Sequence, residues 1–132
     1  MSTRESIIAA AAAALVTANV AGGRVYRSRQ EALTTLPAVI VEPLSESADE
    51  MPLGMLDRTL FVAVSVHASG DPGDNAADST VALVESTLLA DRDLGLGPEV
   101  QIRSAVDTRW EFDDQDMVRV TLTFNVSYRT AL

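Results

Sequence analysis

The sequence contains no cysteine. That excludes disulfide frameworks, thiolate metal sites and cysteine nucleophiles together. It has one histidine, His67, and one tryptophan, Trp110. No apolar run reaches the roughly 18 residues that read as a membrane span. The Ala9–Ala14 stretch has the look of a signal-peptide core, but Glu5 precedes it, Arg4 is the sole positive charge before it, and Val20-Ala21-Gly22-Gly23 is a poor cleavage site. The expectation is a cytoplasmic protein with no membrane partner. Basic residues are few: 10 against 19 acidic ones, for a net charge of −9. Stable DNA binding draws on Lys and Arg that displace phosphate counterions, so a chain this acidic is poorly suited to holding DNA, and if it meets DNA it should let it pass.

What remains is 132 residues with 47% apolar content, the size and composition of one folded domain. A first helix is expected from about Thr3 to Asn19. Ser2 and Glu5 have capping-box spacing, and Ile7, Ile8, Ala11, Ala12, Leu15 and Val16 recur at one-turn intervals. Gly22-Gly23 suits its end. A short extended segment follows at Arg24–Arg27, then a linker with a helical turn at Arg29–Leu33. Pro37–Pro43 reads as a buried strand bounded by prolines, and Leu44–Leu56 as a long loop mixing Glu46, Asp49 and Glu50 with Met51, Leu53, Met55 and Leu56. Loops of that length are usually functional or mobile. Arg58–Ala68 is a strand with Leu60, Val62, Val64 and Val66 on one face. Phe61 and Ala63 on the other mark it as central. A second helix spans about Asn75 to Ala90, with Asp71 or Asp74 as cap and Ala77, Val81, Val84 and Leu88 as its stripe.

The last third alternates most strictly. Val100, Ile102, Val106, Trp110 and Phe112 share one parity. Val118, Val120, Leu122, Phe124, Val126 and Tyr128 share another, set against Arg119, Thr121, Thr123, Asn125, Ser127 and Arg129. Period-two alternation marks strands with one buried and one polar face. Residues that pair must share a face. Setting Phe112 opposite Val118 and Trp110 opposite Val120 brings Glu111 to Arg119. The neighbouring even register sets Arg109 against Arg119, a like-charge pair costing up to ~1 kcal/mol. The first register is preferred, with Asp114–Asp116 as a three-residue loop. The fold class expected is α+β: two layers, a mixed, mainly antiparallel sheet of four to five strands, and two helices packed on one face.

Catalytic chemistry is sparsely represented. Ser65, His67 and Asp71 could compose a hydrolytic triad only without a nucleophile elbow, and a sheet-edge histidine explains His67 as well. No phosphate-binding glycine pattern occurs; Gly95-Leu96-Gly97-Pro98 is a turn. The acidic run Glu111, Asp113, Asp114 and Asp116 reads as a solvated hairpin tip rich in good turn residues, with weak Mg²⁺ binding as the other reading. Trp110, Phe112, Phe124 and Tyr128 lie on the expected core face, which favours packing over a nucleobase platform. The polar face carries Arg103, Arg109, Arg119 and Arg129 among threonines and suits either solvent or a neighbouring subunit. Neither a catalytic nor a cofactor-binding residue is assigned.

The order of elements resembles the tail-terminator family of long-tailed phages, the lambda-like minor tail protein U family. The matching features are the amphipathic N-terminal helix, Leu36-Pro37-Ala38-Val39-Ile40-Val41, the valine-rich strand and the second helix. They continue through Arg109-Trp110-Glu111-Phe112-Asp113-Asp114 and the alternating strand ending Val126-Ser127-Tyr128. The resemblance covers essentially the whole chain and implies a structural virion protein with no enzymatic activity. It implies a homo-hexameric ring at the head-proximal end of the tail, which ends tube polymerisation, meets a head-completion or connector protein, and passes DNA through its lumen. In that setting Asp113, Asp114 and Asp116 match an acidic loop linked to Mg²⁺-promoted assembly. Met51, Leu53, Met55, Arg119, Thr121 and Thr123 become the interface candidates, toward another subunit or the tube protein. The alternatives are another neck or tail-completion protein, or a small ferredoxin-like ligand-binding domain.

Overall fold

A computed structural model describes residues 2–27, 36–69, 73–112 and 117–131, without the side chains of 73–76 and 106. Helix α1 spans Thr3–Thr17. The Ser2 hydroxyl accepts the Glu5 backbone N–H at 3.1 Å, one half of the capping box. The Glu5 carboxylate turns instead to Arg27. Ile7, Ile8, Ala11, Ala12 and Leu15 are buried as the spacing predicts, but Val16 is exposed, one position too far round the helix. The helix also ends two residues earlier than expected: Asn19 is already left-handed (φ 57°), and Val20–Gly23 forms a separate tight turn.

Among the described residues, five strands form one sheet in the order β1-β2-β3-β5-β4. Strand β1 is Val25–Tyr26, β2 Ala38–Met51, β3 Met55–Ser69, β4 Gln101–Phe112 and β5 Met117–Ala131. Only the β1–β2 pair is parallel. Helix α2, Gly73–Ala90, starts ahead of Asp74, which is therefore a helix residue and not its cap; Asp71 lies outside the described residues. Ala77, Val81, Val84 and Leu88 are buried as expected. Both helices contribute to one core with the even-numbered residues of β3 and β5; no helix among the described residues covers the opposite face, called the open face below. The proposed turn at Arg29–Leu33 falls outside the described residues.

Leu44–Leu56 is not a loop. Strands β2 and β3 pair continuously to Met51–Met55 across a tight turn at Pro52–Gly54. Its mixed acidic and apolar composition concealed a strand because both of its faces leave the core. At ~3.3 Å per residue a 15-residue strand is about 50 Å long, whereas the 18 residues of α2 cover about 27 Å. The hairpin outruns the helices and needs no apolar face beyond them. Pro43 is tolerated inside β2 because β1 pairs only with Val39 and Ile40, leaving that side of β2 without a ladder to interrupt. A bulge between Pro43 and Ser45 turns Leu44 outward and brings Glu46 to the helix-side face, opposite Leu60.

The register argument for the last hairpin holds. Phe112 pairs with Val118, Trp110 with Val120 and Glu111 with Arg119, whose guanidinium reaches the Glu111 carboxylate at 2.6 Å. Two bulges in β4, between Ile102 and Ser104 and between Ala105 and Asp107, were invisible in the alternation because together they restore its parity. One of them puts Ala105, rather than Val106, opposite Phe124. The loop residues 113–116 lie outside the described residues.

Candidate interaction surfaces

The open face of the sheet is built from odd-numbered residues of β3 and β5, with β4 alongside. Thr121, Thr123, Asn125 and Ser127 form its central column, each half-buried. Register sets Ser65, Ala63 and Phe61 on one side of that column and Arg109, Asp107 and Ser104 on the other. Ser65 and Ala63 are buried, as expected for the central strand. The Ser65 hydroxyl lies 3.5 Å from the Thr121 hydroxyl. His67 shares this face in a row with Ala38 and Arg119; Asp71, the third member of the hypothetical triad, lies outside the described residues.

Charges on the open face pair within it. Arg119 meets Glu111, and Arg129 Nε meets Asp57 at 2.7 Å. Arg103 donates to the Ser127 hydroxyl at 2.8 Å. Arg109 is exposed and has no hydrogen-bond or ion-pair partner among the described residues. The Asn125 side-chain oxygen is covered yet accepts no hydrogen bond among the described residues. A buried acceptor left unpaired costs about 1–3 kcal/mol.

The projecting hairpin is the second surface. Leu53, at its tip, is 98% exposed and left-handed (φ 68°), followed by Gly54 at φ 72°. A tight hairpin turn asks for such angles, which Asn, Asp and Gly adopt readily; a leucine there has a backbone cost and no packing in return within the chain. Met51 and Met55 pair at the base of the turn and are half-buried.

The arm is tied down by a polar knot that sequence reading missed. Glu46 accepts from Arg4 of α1 (Nη2 at 2.6 Å, Nε at 3.2 Å), from Arg58 of β3 at 3.4 Å, and from the Tyr128 hydroxyl of β5. Arg58 also donates to the Thr130 hydroxyl at 2.8 Å. Burial works to raise the Glu46 pKa, but the bonds from Arg4 and Tyr128 and the two guanidiniums outweigh it and hold the carboxylate below its ordinary range. Burial first, and then the Glu46 carboxylate, push the Tyr128 hydroxyl up against the opposing pull of the two guanidiniums. Beside the knot, Asp49, Asp57, Glu99, Arg103 and Arg129 border a groove of about 420 Å³. The one sequence signal available was that Tyr128, alone in the core column of β5, carries a hydroxyl that must find a partner.

Trp110 and Phe112 keep core parity but are 45% and 64% exposed. They occupy the end of an edge strand that the helices do not roof, so their expected burial is corrected. Phe124 and Tyr128, in the middle column, are buried as expected.

This architecture has a counterpart. The fold is shared with a virion protein. A chain from the virion of a native gene transfer agent particle superposes with a TM-score of 0.75 over 94% of this chain and 95% of that one, at 20% identity. No family model and no curated protein matches the chain. At that identity the likeness shows the fold. It agrees with the α+β class over nearly the full length of both chains.

Of the sequence-derived interface candidates, Arg119, Thr121 and Thr123 come together on the open face. Met51, Leu53 and Met55 come together at the arm's end. These are two separate surfaces. Asp113, Asp114 and Asp116, the suggested Mg²⁺ ligands, lie outside the described residues.

Proposed function

We propose that this protein is a structural subunit of a phage or phage-like tail: a tail terminator that assembles as a hexameric ring on the finished tube and offers its other side to a head-completion or connector protein. The observation that carries this reading is the full-length fold match to a gene transfer agent virion chain. It is joined by the order of sequence elements that resembles lambda-like terminators. Two further features fit assembly rather than a solitary life. One sheet face is covered by no helix among the described residues, and a hairpin presents a fully exposed leucine at its tip. In this reading the open face meets neighbouring copies, and Met51, Leu53 and Met55 meet the tube. The charge of −9 keeps the lumen from gripping DNA. Asp113, Asp114 and Asp116 would then gather Mg²⁺ where acidic subunits approach one another.

Size-exclusion chromatography with light scattering, with and without ~10 mM Mg²⁺, tests the reading. A hexamer, or a Mg²⁺-driven shift toward one, is the expected result. A monomer at every concentration removes the ring. The same fold match also fits a different neck or tail-completion position. Electron microscopy of particles carrying a tagged subunit separates the two, because a terminator decorates the junction of tube and head and nothing else.

A further inference from the structure

Strands β2 and β4 each have one protected length and one bare length along their outer edge. Beside β2, β1 pairs only with Val39 and Ile40, and Pro43 and the bulge that follows it blunt the next stretch. From Glu46 to Met51 that edge has no bulge and, among the described residues, no backbone partner. In β4 the Arg92 carbonyl accepts the Ile102 N–H at 2.8 Å, and two bulges come before Asp107. From Asp107 to Phe112 the edge is equally bare. Resting on the ring reading above, we propose that these two matching lengths pair between copies. Strand β4 of one subunit adds to β2 of the next, so that the sheet runs on from copy to copy.

Direction and phase both allow it. Strands β2, β3, β5 and β4 are successively antiparallel, so a second copy in the same orientation presents its β2 antiparallel to β4. The Val39 N–H donates outward, to the Arg24 carbonyl at 2.9 Å. Outward and inward residues alternate along a strand. Val39 faces Val66 and Glu46 faces Leu60 on the unbroken β3, so Glu46 points its backbone groups outward as Val39 does, and Ala48 and Glu50 follow. By the same count, Ile102 opposite Val126 fixes Trp110 opposite Val120 as outward, with Thr108 and Phe112. Both outward sets carry their side chains on the helix side of the sheet. Joining them keeps the helices of successive copies on one side, which an opposite phase on either strand would prevent. Pairing β4 with β4 about a two-fold axis would close at two copies and leave the arm's edge bare.

Charge selects the register. Outward residues must meet outward residues, so the choices differ by steps of two. One choice sets Phe112, Trp110 and Thr108 opposite Glu46, Ala48 and Glu50, and brings Arg109 opposite Asp49. Both of these charged residues are exposed and have no hydrogen-bond or ion-pair partner among the described residues. A step one way puts Asp49 opposite Asp107, and a step the other way puts it opposite Glu111; like charges directly opposite destabilise a sheet. The chosen register contains no such pair. It also places Trp110, 45% exposed, beside Ala48, whose short side chain leaves the indole room to lie across the join. The turn at Pro52–Gly54 stays clear of the pairing and free for the tube.

The chain has no cysteine, so the join can be tested by cross-linking. Ser47 and Glu111 come opposite each other in this register, and residues so placed lie about 4.5–5.5 Å apart at Cα, within disulfide reach. Ser47→Cys with Glu111→Cys in one chain should give, on mild oxidation, a ladder of covalent species ending at the hexamer on a non-reducing gel. Either single variant alone should stay monomeric, and the two mixed should give a dimer containing one of each. Ala48→Pro removes an outward donor but no bond to β3; it should melt as the wild type does and weaken assembly about tenfold. A wild-type ring, seen by light scattering, whose cysteine variant gives no ladder or which Ala48→Pro leaves untouched, overturns the edge pairing and leaves the ring reading standing. Glu111→Cys chains that cross-link among themselves overturn it in favour of a two-fold β4 pair. A ladder running past the hexamer keeps the pairing and overturns the closed ring. A wild-type chain that never assembles overturns the ring reading itself, and this contact with it.

Discussion

Glu46 shows how one carboxylate can hold an arm in place. It belongs to β2, but its partners come from α1, β3 and β5. Removing it frees two guanidiniums and a hydroxyl at once. Glu46→Ala should cost about 1–3 kcal/mol in denaturant unfolding, the range for losing hydrogen bonds between charged groups. The pH dependence has a definite sign. The folded-state pKa lies below the ordinary value of 4.5, so this contribution is complete above that value and drains away as pH falls below it through the folded pKa. Glu46→Gln should flatten the acid limb of the stability curve. An unchanged limb would mean that the knot contributes nothing. The two faces of β5 offer a second contrast. Val120 and Phe124 are buried, and Val120→Asp or Phe124→Asp should cost more than about 4 kcal/mol by burying an unpaired charge. Thr123→Asp, on the open face, should leave the thermal melt of the monomer close to wild type and impair assembly. The reverse outcome would exchange the two faces.

Among elements, the β2–β3 hairpin departs furthest from sequence expectation. The strand pattern was hidden because neither face of the arm is buried, and alternation is legible only where one face is. Its turn makes a prediction in which stability and assembly move in opposite directions. Leu53→Asn places a residue tolerant of left-handed angles where leucine is strained, and should raise the stability of the isolated chain by about 0.5–1 kcal/mol. The same change removes the exposed apolar tip and should weaken co-sedimentation with tail tubes. A variant that gains stability and keeps tube binding would show that the leucine is not a contact. Helix α1, by contrast, was legible almost to the residue, because Ser2 caps it and five apolar residues face the sheet. Only the end was misplaced, since Asn19 took the left-handed position that the glycines were expected to fill.

At the scale of the molecule, charge governs what the chain can meet. Copies carrying −9 each repel until screened, and the Debye length falls from about 20 Å at ~20 mM salt to about 7 Å at ~200 mM. Assembly should therefore strengthen over that range of NaCl even without Mg²⁺, as sedimentation velocity would reveal. Weakening with salt would mean that attraction between subunits outweighs their net charge.

By itself the sequence determined the two helices, the pairing of the C-terminal strands with their register next to the turn, and the buried side of β5 and of the core half of β3. These follow from periodicity, from capping and from the need to keep Arg109 away from Arg119, all of which act between near neighbours in the chain. Only the tertiary structure decided how far the helices reach. That single geometric fact left Trp110 and Phe112 exposed, freed β2 and β3 to run on as an arm, and brought Glu46 from β2 to Arg4 of the first helix. A bulge that shifts a strand by one residue, and a carboxylate whose partners lie 12, 42 and 82 residues away, leave no periodic trace, because nothing local distinguishes them until the layers are stacked.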